Sequence, residues 1–198
     1  MRREVGKYIC PYCVETYESF EELREHVLAE HKGEPVPLPE GMIRVNINGQ
    51  DYQVHVEPEW TLNYLLHDKM GFTSPKMFCD RGACGSCTVI MDGRPILSCM
   101  TLAIECDGSR IETAEGIADA QHPLVDTYVE NHCMQCGYCT PGFITTAKAL
   151  LDRDPDPTEE EIVEALSGNL CRCGTYPQHV KAILQAAERL RMGSERGK

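Results

Sequence analysis

Gln135-Cys-Gly-Tyr-Cys-Thr-Pro-Gly142 and, after an interval of helical periodicity, Gly168-Asn-Leu-Cys-Arg-Cys-Gly-Thr-Tyr-Pro177 place four cysteines in two close pairs. Each pair precedes a helix signal, Thr140-Pro141 in the first case and Pro177 in the second. Helix N-termini carry unsatisfied N–H groups and a partial positive charge, which suits anionic sulfur. Four thiolates as two pairs are what a [2Fe–2S] cluster needs, since each iron takes two cysteine sulfurs. Zinc is the rival, because Cys-x2-Cys pairs also hold zinc. Disulfides are the bland alternative, and they belong to oxidising compartments.

Around this stretch, residues 116–192 read as four short helices: Pro123 to about Asn131, Thr140 to about Leu151, Thr158 to about Ser167, and Pro177 to about Arg191. Thr158-x-x-Glu161 is a capping box for the third. Val180, Ile183, Leu184, Ala187 and Leu190 give the fourth an apolar face. Residues 193–198 read as a polar tail.

Upstream, residues 43–115 read as β-rich. Ile43, Val45 and Ile47 alternate with polar residues, Asn48-Gly49 turns the chain, and Tyr52, Val54 and Val56 alternate on the return. Thr61 caps a short helix to about Asp68, with Leu62, Leu65 and Leu66 on one face. Cys79-x4-Cys84-x2-Cys87, then Cys99 beyond a hairpin turning at Asp92-Gly93, has the plant-type ferredoxin spacing. Gly82 and Gly85 allow the loop to wrap closely. Ala83 and Ser86 are small enough for backbone N–H groups to reach the sulfurs.

Residues 1–33 form a separate module. Cys10-x2-Cys13-x12-His26-x4-His31 has two-Cys, two-His zinc-finger spacing. Tyr8, Tyr17 and Leu23 occupy the positions of a ββα finger core, with a helix over Phe20 to Glu30. So short a module buries too little apolar surface to fold alone. Zinc would supply about 10–16 kcal/mol. Residues 34–42 carry prolines at alternate positions, an extended semi-rigid linker.

The two cysteine-pair motifs resemble the second-cluster motifs of the xanthine oxidase, aldehyde oxidoreductase and aerobic carbon monoxide dehydrogenase family of molybdenum hydroxylases. More narrowly, they resemble its separate iron–sulfur (small) subunit. Cys79-Asp-Arg-Gly-Ala-Cys-Gly-Ser-Cys-Thr-Val89 matches that family's ferredoxin loop. The resemblance covers roughly residues 42–192. It implies an α+β fold: a β-grasp plant-type ferredoxin domain followed by a four-helix [2Fe–2S] domain, here preceded by a small ββα zinc finger. It implies two [2Fe–2S] clusters, one on Cys79, Cys84, Cys87 and Cys99, the other on Cys136, Cys139, Cys171 and Cys173. It also implies an electron-transfer role in a multi-subunit molybdenum oxidoreductase, with substrate chemistry on a partner subunit. Electrons would leave a molybdopterin centre on a large subunit, cross the helical-domain cluster, then the plant-type cluster, and reach a FAD subunit or another acceptor. In the family, the positions of Gln135 and Cys173 lie beside the molybdopterin. The finger is an addition to the family's pattern.

Composition bounds the rivals. The formal charge is −12, and anionic cluster sites make the loaded protein more acidic still. Such a chain does not coat nucleic acid, so the expectation is no nucleic-acid partner. No apolar run approaches the ~20 residues of a membrane span. Met1-Arg2-Arg3-Glu4 precedes no apolar h-region, and with 12 cysteines read as metal ligands a cytoplasmic location is expected. A free-standing iron–sulfur carrier and a DNA-binding redox sensor are the alternative functions. In a DNA-reading finger, helix positions −1, 3 and 6 face bases. Here they fall on Ser19, Glu22 and Glu25, and over residues 1–33 five Lys and Arg face seven Asp and Glu, a charge of −2. The expected contact of the finger is therefore with protein. Cys133 with Cys136 and Cys139 also resembles part of a [4Fe–4S] run. Cys106 reads as a small buried apolar residue. His55, His67, His122, His132 and His179 have no partner motif and read as structural or solvated.

Overall fold

The structure is a computed structural model and describes residues 8–13, 15–33 and 40–196. The chain forms two compact units, Met1–Glu40 and Gly41–Lys198. Most of the proline-rich linker expected over residues 34–42 lies outside the described residues.

In the first unit, β1 (Tyr8–Ile9) pairs antiparallel with β2 (Thr16–Tyr17), and α1 spans Phe20–Glu30. Ser19 caps α1 in a reciprocal box. Glu22 N donates to Ser19 Oγ at 3.2 Å, and Ser19 N donates to Glu22 Oε2 at 3.3 Å. Tyr8 departs from its expected core role. It is 45% exposed and packs edge-on against Phe20, itself 57% exposed. A unit of this size has room inside for little besides the ligand cluster, and Cys10 is buried there.

The second unit begins with a five-stranded sheet in the order β4-β3-β7-β5-β6, formed by β3 (Met42–Ile47), β4 (Gln50–His55), β5 (Thr88–Met91), β6 (Arg94–Leu97) and β7 (Arg110–Glu112). The β3·β7 pairing is parallel and the others are antiparallel. Ile43, Val45 and Ile47 turn inward, as their alternation requires. Both hairpins turn on residue pairs with positive φ, Asn48 (52°) with Gly49 (84°) and Asp92 (50°) with Gly93 (79°). This is the turn whose twist matches paired strands. Thr61 caps α2 (Leu62–Tyr64) through Tyr64 N at 3.2 Å, and the chain continues as a π-turn over Leu65–Lys69. Leu62, Leu65 and Leu66 pack into the sheet core with Val45, Ile47, Val89 and Ile111. A helix laid across a mixed sheet in this way is the expected β-grasp arrangement.

Among the described residues the helical part holds five helices rather than the expected four. The extra one, α3 (Ala114–Asp119), is only six residues long and has no side-chain cap. Packing secures it: Gly116 lies against Asn48, which exchanges hydrogen bonds with Thr113 (3.0 and 2.9 Å). His122 caps α4 (Pro123–Glu130), accepting from Leu124 N at 3.3 Å. α5 spans Thr140–Arg153, α6 spans Glu159–Ala165 under the Thr158/Glu161 capping box, and α7 spans Tyr176–Arg196. α7 continues past Arg191 into residues expected to be tail, because one internal glycine, Gly193, costs a helix only about 1 kcal/mol. The helices enclose Leu124, Tyr128, Phe143, Ile162 and Ile183, and β5's Ile90 joins the same core. No helix among the described residues is long and apolar enough to cross a membrane.

Candidate metal centres

The loop carrying Cys79, Cys84 and Cys87 runs between the π-turn and β5, and Cys99 sits in a 3-10 turn directly after β6. Gly82 (φ 73°), Gly85 (φ 71°) and Asp80 (φ 50°) adopt left-handed backbone, which coils the loop around the sulfurs. Ala83 N donates to Cys79 Sγ at 3.3 Å. The sulfurs face in pairs, Cys79 with Cys84 and Cys87 with Cys99. Burial pushes the Cys79 thiol up, but backbone N–H groups of Arg81, Ala83 and Cys84, together with the Cys84 thiol, outweigh it and hold Cys79 at about 7. Cys99 goes the other way, to about 11, through burial and the neighbouring Cys87 and Cys79 sulfurs. A buried knot of repelling sulfurs ringed by N–H donors fits an iron–sulfur core, whose cationic irons relieve the repulsion.

In the helical part, Cys139 immediately precedes α5 and Cys173 lies three residues before α7. Cys139 and Cys171 face each other, with Cys136 beside them. Burial and these neighbours push Cys139 up to about 12. Cys171 is held at about 7 against burial, first by the Thr175 hydroxyl and N–H, then by Cys139 and the Cys173 N–H. Thr140 is the first helical residue, not the cap expected of it. Cys139 takes the cap position without a side-chain bond, since its sulfur is turned to Cys171. Gln135 and Cys136 are exposed and Cys173 is half-buried, whereas Cys171 is buried. Cys133 is buried and donates to Gln178 O at 3.2 Å. Cys106 is likewise buried, with its S–H on Leu102 O at 3.4 Å.

The two cysteine loops are joined directly. Leu170 N, one residue before Cys171, donates to the carbonyl of Cys84 at 2.9 Å. Asn169 Nδ2 donates to Gly85 O at 3.1 Å, and its Oδ1 accepts from Thr146 Oγ1 at 3.1 Å. Thr145 Oγ1 donates to Thr88 O at 3.0 Å. Gly85 and Gly142 make this approach possible. A Cβ on Gly85 would stand 2.6 Å from Gly168 O, and one on Gly142 would overlap Gly85 O. Asn169, Thr145, Thr146 and this glycine contact were not among the expected site residues.

In the first unit, the ligand atoms of Cys10, Cys13, His26 and His31 all lie within 4.8 Å of one another. Cys13 Sγ is 3.2 Å from His26 Nε2. The His31 ring stacks on Tyr12 at 4.6 Å and the His26 ring packs on Tyr17 at 4.9 Å. Burial raises the Cys10 thiol, but the Cys13 and Tyr12 N–H groups of the knuckle more than reverse it. Two thiols and two imidazoles converging in this way fit a tetrahedral zinc ion.

Residues 45–107 match the family described as "2Fe-2S iron-sulfur cluster binding domain", and residues 113–184 match "[2Fe-2S] binding domain". The chain is 48% identical over 149 residues to the nicotinate dehydrogenase small FeS subunit of Eubacterium barkeri, covering 74% of this chain and 95% of that one. The chain belongs to the iron–sulfur small-subunit family of the molybdenum hydroxylases. The nicotine 6-hydroxylase small subunit of Paenarthrobacter nicotinovorans is 44% identical over 153 residues, covering 77% and 93% of the two chains. Among solved structures, the quinoline 2-oxidoreductase of Pseudomonas putida 86 aligns with a TM-score of 0.73 at 40% identity, over 77% of this chain and 96% of that chain. Like those small subunits, this one is an electron-transfer component with two [2Fe–2S]-binding domains. Both family matches leave the Cys/His unit outside them.

Proposed function

We propose that this small subunit relays electrons from a molybdopterin centre on a large partner subunit, first through a helical-domain [2Fe–2S] cluster and then through a plant-type one, to a FAD subunit or another acceptor. The ligand sets are Cys136, Cys139, Cys171 and Cys173 for the first, and Cys79, Cys84, Cys87 and Cys99 for the second. The observation that supports transfer between the two sites is the Leu170 N–H to Cys84 carbonyl bond, which links the residue before Cys171 to a cysteine of the other set at 2.9 Å; the direction is what the family resemblance implies. When bound, the clusters supply one-electron redox chemistry. The chain's own part is to hold the sulfurs, direct N–H groups at them, and keep the two loops in contact. Exposed Gln135 and half-buried Cys173 are the residues that would meet the molybdopterin.

The Cys10, Cys13, His26 and His31 site would hold zinc and so fold residues 1–33. Its helix is not suited to reading bases, because Ser19 and Glu22 already satisfy each other in the capping box. A protein partner in the complex and a cytoplasmic location complete the reading. Metal and sulfide analysis with EPR of the reduced protein tests it. Two distinct [2Fe–2S] signals and bound zinc are expected; a single cluster or a [4Fe–4S] signal would refute the assignment.

A further inference from the structure

Behind the helical-domain cysteines, three polar side chains stand four residues apart in sequence and fully inside the protein. Cys171, Thr175 and His179 are 8%, 3% and 0% exposed. Cys171 Sγ lies 3.2 Å from Thr175 Oγ1, and Thr175 Oγ1 lies 3.1 Å from His179 Nε2. The imidazole is stacked flat on Phe143, with ring centroids 4.0 Å apart and 7° between planes, and Tyr128 packs at 5.3 Å. His179 Nδ1 has no hydrogen-bond partner.

The order of protons follows from the chemistry of the three groups. A metal-bound thiolate has no hydrogen, so the hydroxyl must donate to the sulfur. With its one hydrogen so directed, the Thr175 oxygen can only accept from the ring. His179 Nε2 therefore carries the N–H, and Nδ1 is the bare nitrogen.

We propose that Thr175 and His179 form a two-bond relay that raises the reduction potential of the helical-domain cluster. The imidazole N–H polarises the Thr175 hydroxyl, and a polarised hydroxyl makes a stronger bond to the Cys171 sulfur. Hydrogen bonds to cluster sulfurs stabilise the charge that an added electron brings, and so favour reduction. His179 touches no sulfur, so it is a positioning residue acting through Thr175. The relay rests on Cys171 being a cluster ligand. It explains why a histidine, rather than an aliphatic or phenyl group, fills a pocket built of Phe143 and Tyr128 rings.

The test uses the full holo-chain and the variants Thr175→Val, Thr175→Ser, His179→Phe and Thr175→Val with His179→Phe. Each is poised at stepped potentials and followed by EPR. The plant-type cluster serves as internal reference, and iron and sulfide content shows whether the helical-domain cluster has assembled. Content therefore tests the ligand assignment, and potential tests the relay. The helical-domain midpoint is expected to fall in Thr175→Val, to hold in Thr175→Ser and to fall by less in His179→Phe, which keeps the ring stack. Adding His179→Phe to Thr175→Val should change nothing further, and the plant-type midpoint should not move. An unchanged midpoint in Thr175→Val or His179→Phe, or an equal His179→Phe shift with and without the hydroxyl, would overturn the relay. Should Thr175→Val fail to assemble the cluster, His179→Phe decides alone: a lowered midpoint supports the relay and an unchanged one refutes it.

Discussion

Replacing Gly142 by alanine sets two effects of opposite sign against each other. Gly142 is the third residue of α5, and on helix propensity alone alanine stabilises by about 1 kcal/mol. The new Cβ, however, would overlap the Gly85 carbonyl oxygen and come within 3.2 Å of Gly85 C and Ser86 Cα. These are backbone atoms, so no rotamer relieves the clash. Forcing them apart costs about 1–3 kcal/mol. Opening the seam also threatens the Asn169–Gly85 and Leu170–Cys84 bonds, and losing one costs about 0.5–1.5 kcal/mol. The balance is a net loss of about 0.5–3.5 kcal/mol. At about 2–4 °C per kcal/mol for a chain of this size, the melting temperature of the holoprotein falls by about 1–14 °C. Circular dichroism melts of wild type, Gly142→Ala and Gly168→Ala supply the comparison. Gly168 is the control, because a Cβ there meets nothing within 4 Å and the change should stay within about 0.5 kcal/mol. A Gly142→Ala protein melting at or above wild type would show that the seam is not tightly closed.

Cys173→Ser should damage the helical-domain cluster and stop electron flow to the acceptor while the plant-type EPR signal persists; normal turnover of the variant complex would contradict the order of carriers. Removing zinc with a chelator, or replacing His26 by alanine, should unfold residues 1–33 and leave the cluster absorption intact, as followed by circular dichroism and visible spectra. Deleting residues 1–33 should weaken assembly with the partner subunits, read by co-purification, without loss of either cluster. Glu115 gives a pH signature: burial pushes its carboxyl up, but donors from Ser74 and Thr113 outweigh this and lower it. Its contribution is thus present above the unfolded value near 4.5 and fades as pH falls through the lower folded value. Glu115→Gln should accordingly destabilise at pH 7 by about 1–3 kcal/mol and by much less in acid, measured by denaturant melts at both.

What could be read from the sequence was whatever is local or has fixed spacing. Alternation in Ile43, Val45 and Ile47 gave their inward face, and Thr158/Glu161 capped its helix as that spacing requires; the equivalent Ser19/Glu22 box emerged only in the structure. The cysteine spacings grouped thiols that the structure turns toward one another, Cys79 to Cys84 and Cys139 to Cys171. The seam could not be read, because Gly85 and Asn169 are 84 residues apart and nothing local to either shows that they meet. α3 escaped for the same reason: Asn48 secures it, not a cap of its own. His179 is different. Cys171, Thr175 and His179 stand at intervals of four residues, a spacing that in a helix puts residues on one face, but the spacing by itself does not show that the imidazole and hydroxyl turn inward toward the sulfur.

The parallel β3·β7 pairing bears on how the chain is made. Asn46 pairs with Arg110, so the centre of the sheet cannot close until the residues between them have left the ribosome. At roughly 5–20 residues per second that interval lasts about 3–13 s. Within it the thiols of Cys79, Cys84, Cys87 and Cys99 are synthesised one after another, each before β7 exists and so with no finished sheet behind it. The nascent chain thus offers them to metal, oxidant and delivery factor alike before its own fold can choose among the three.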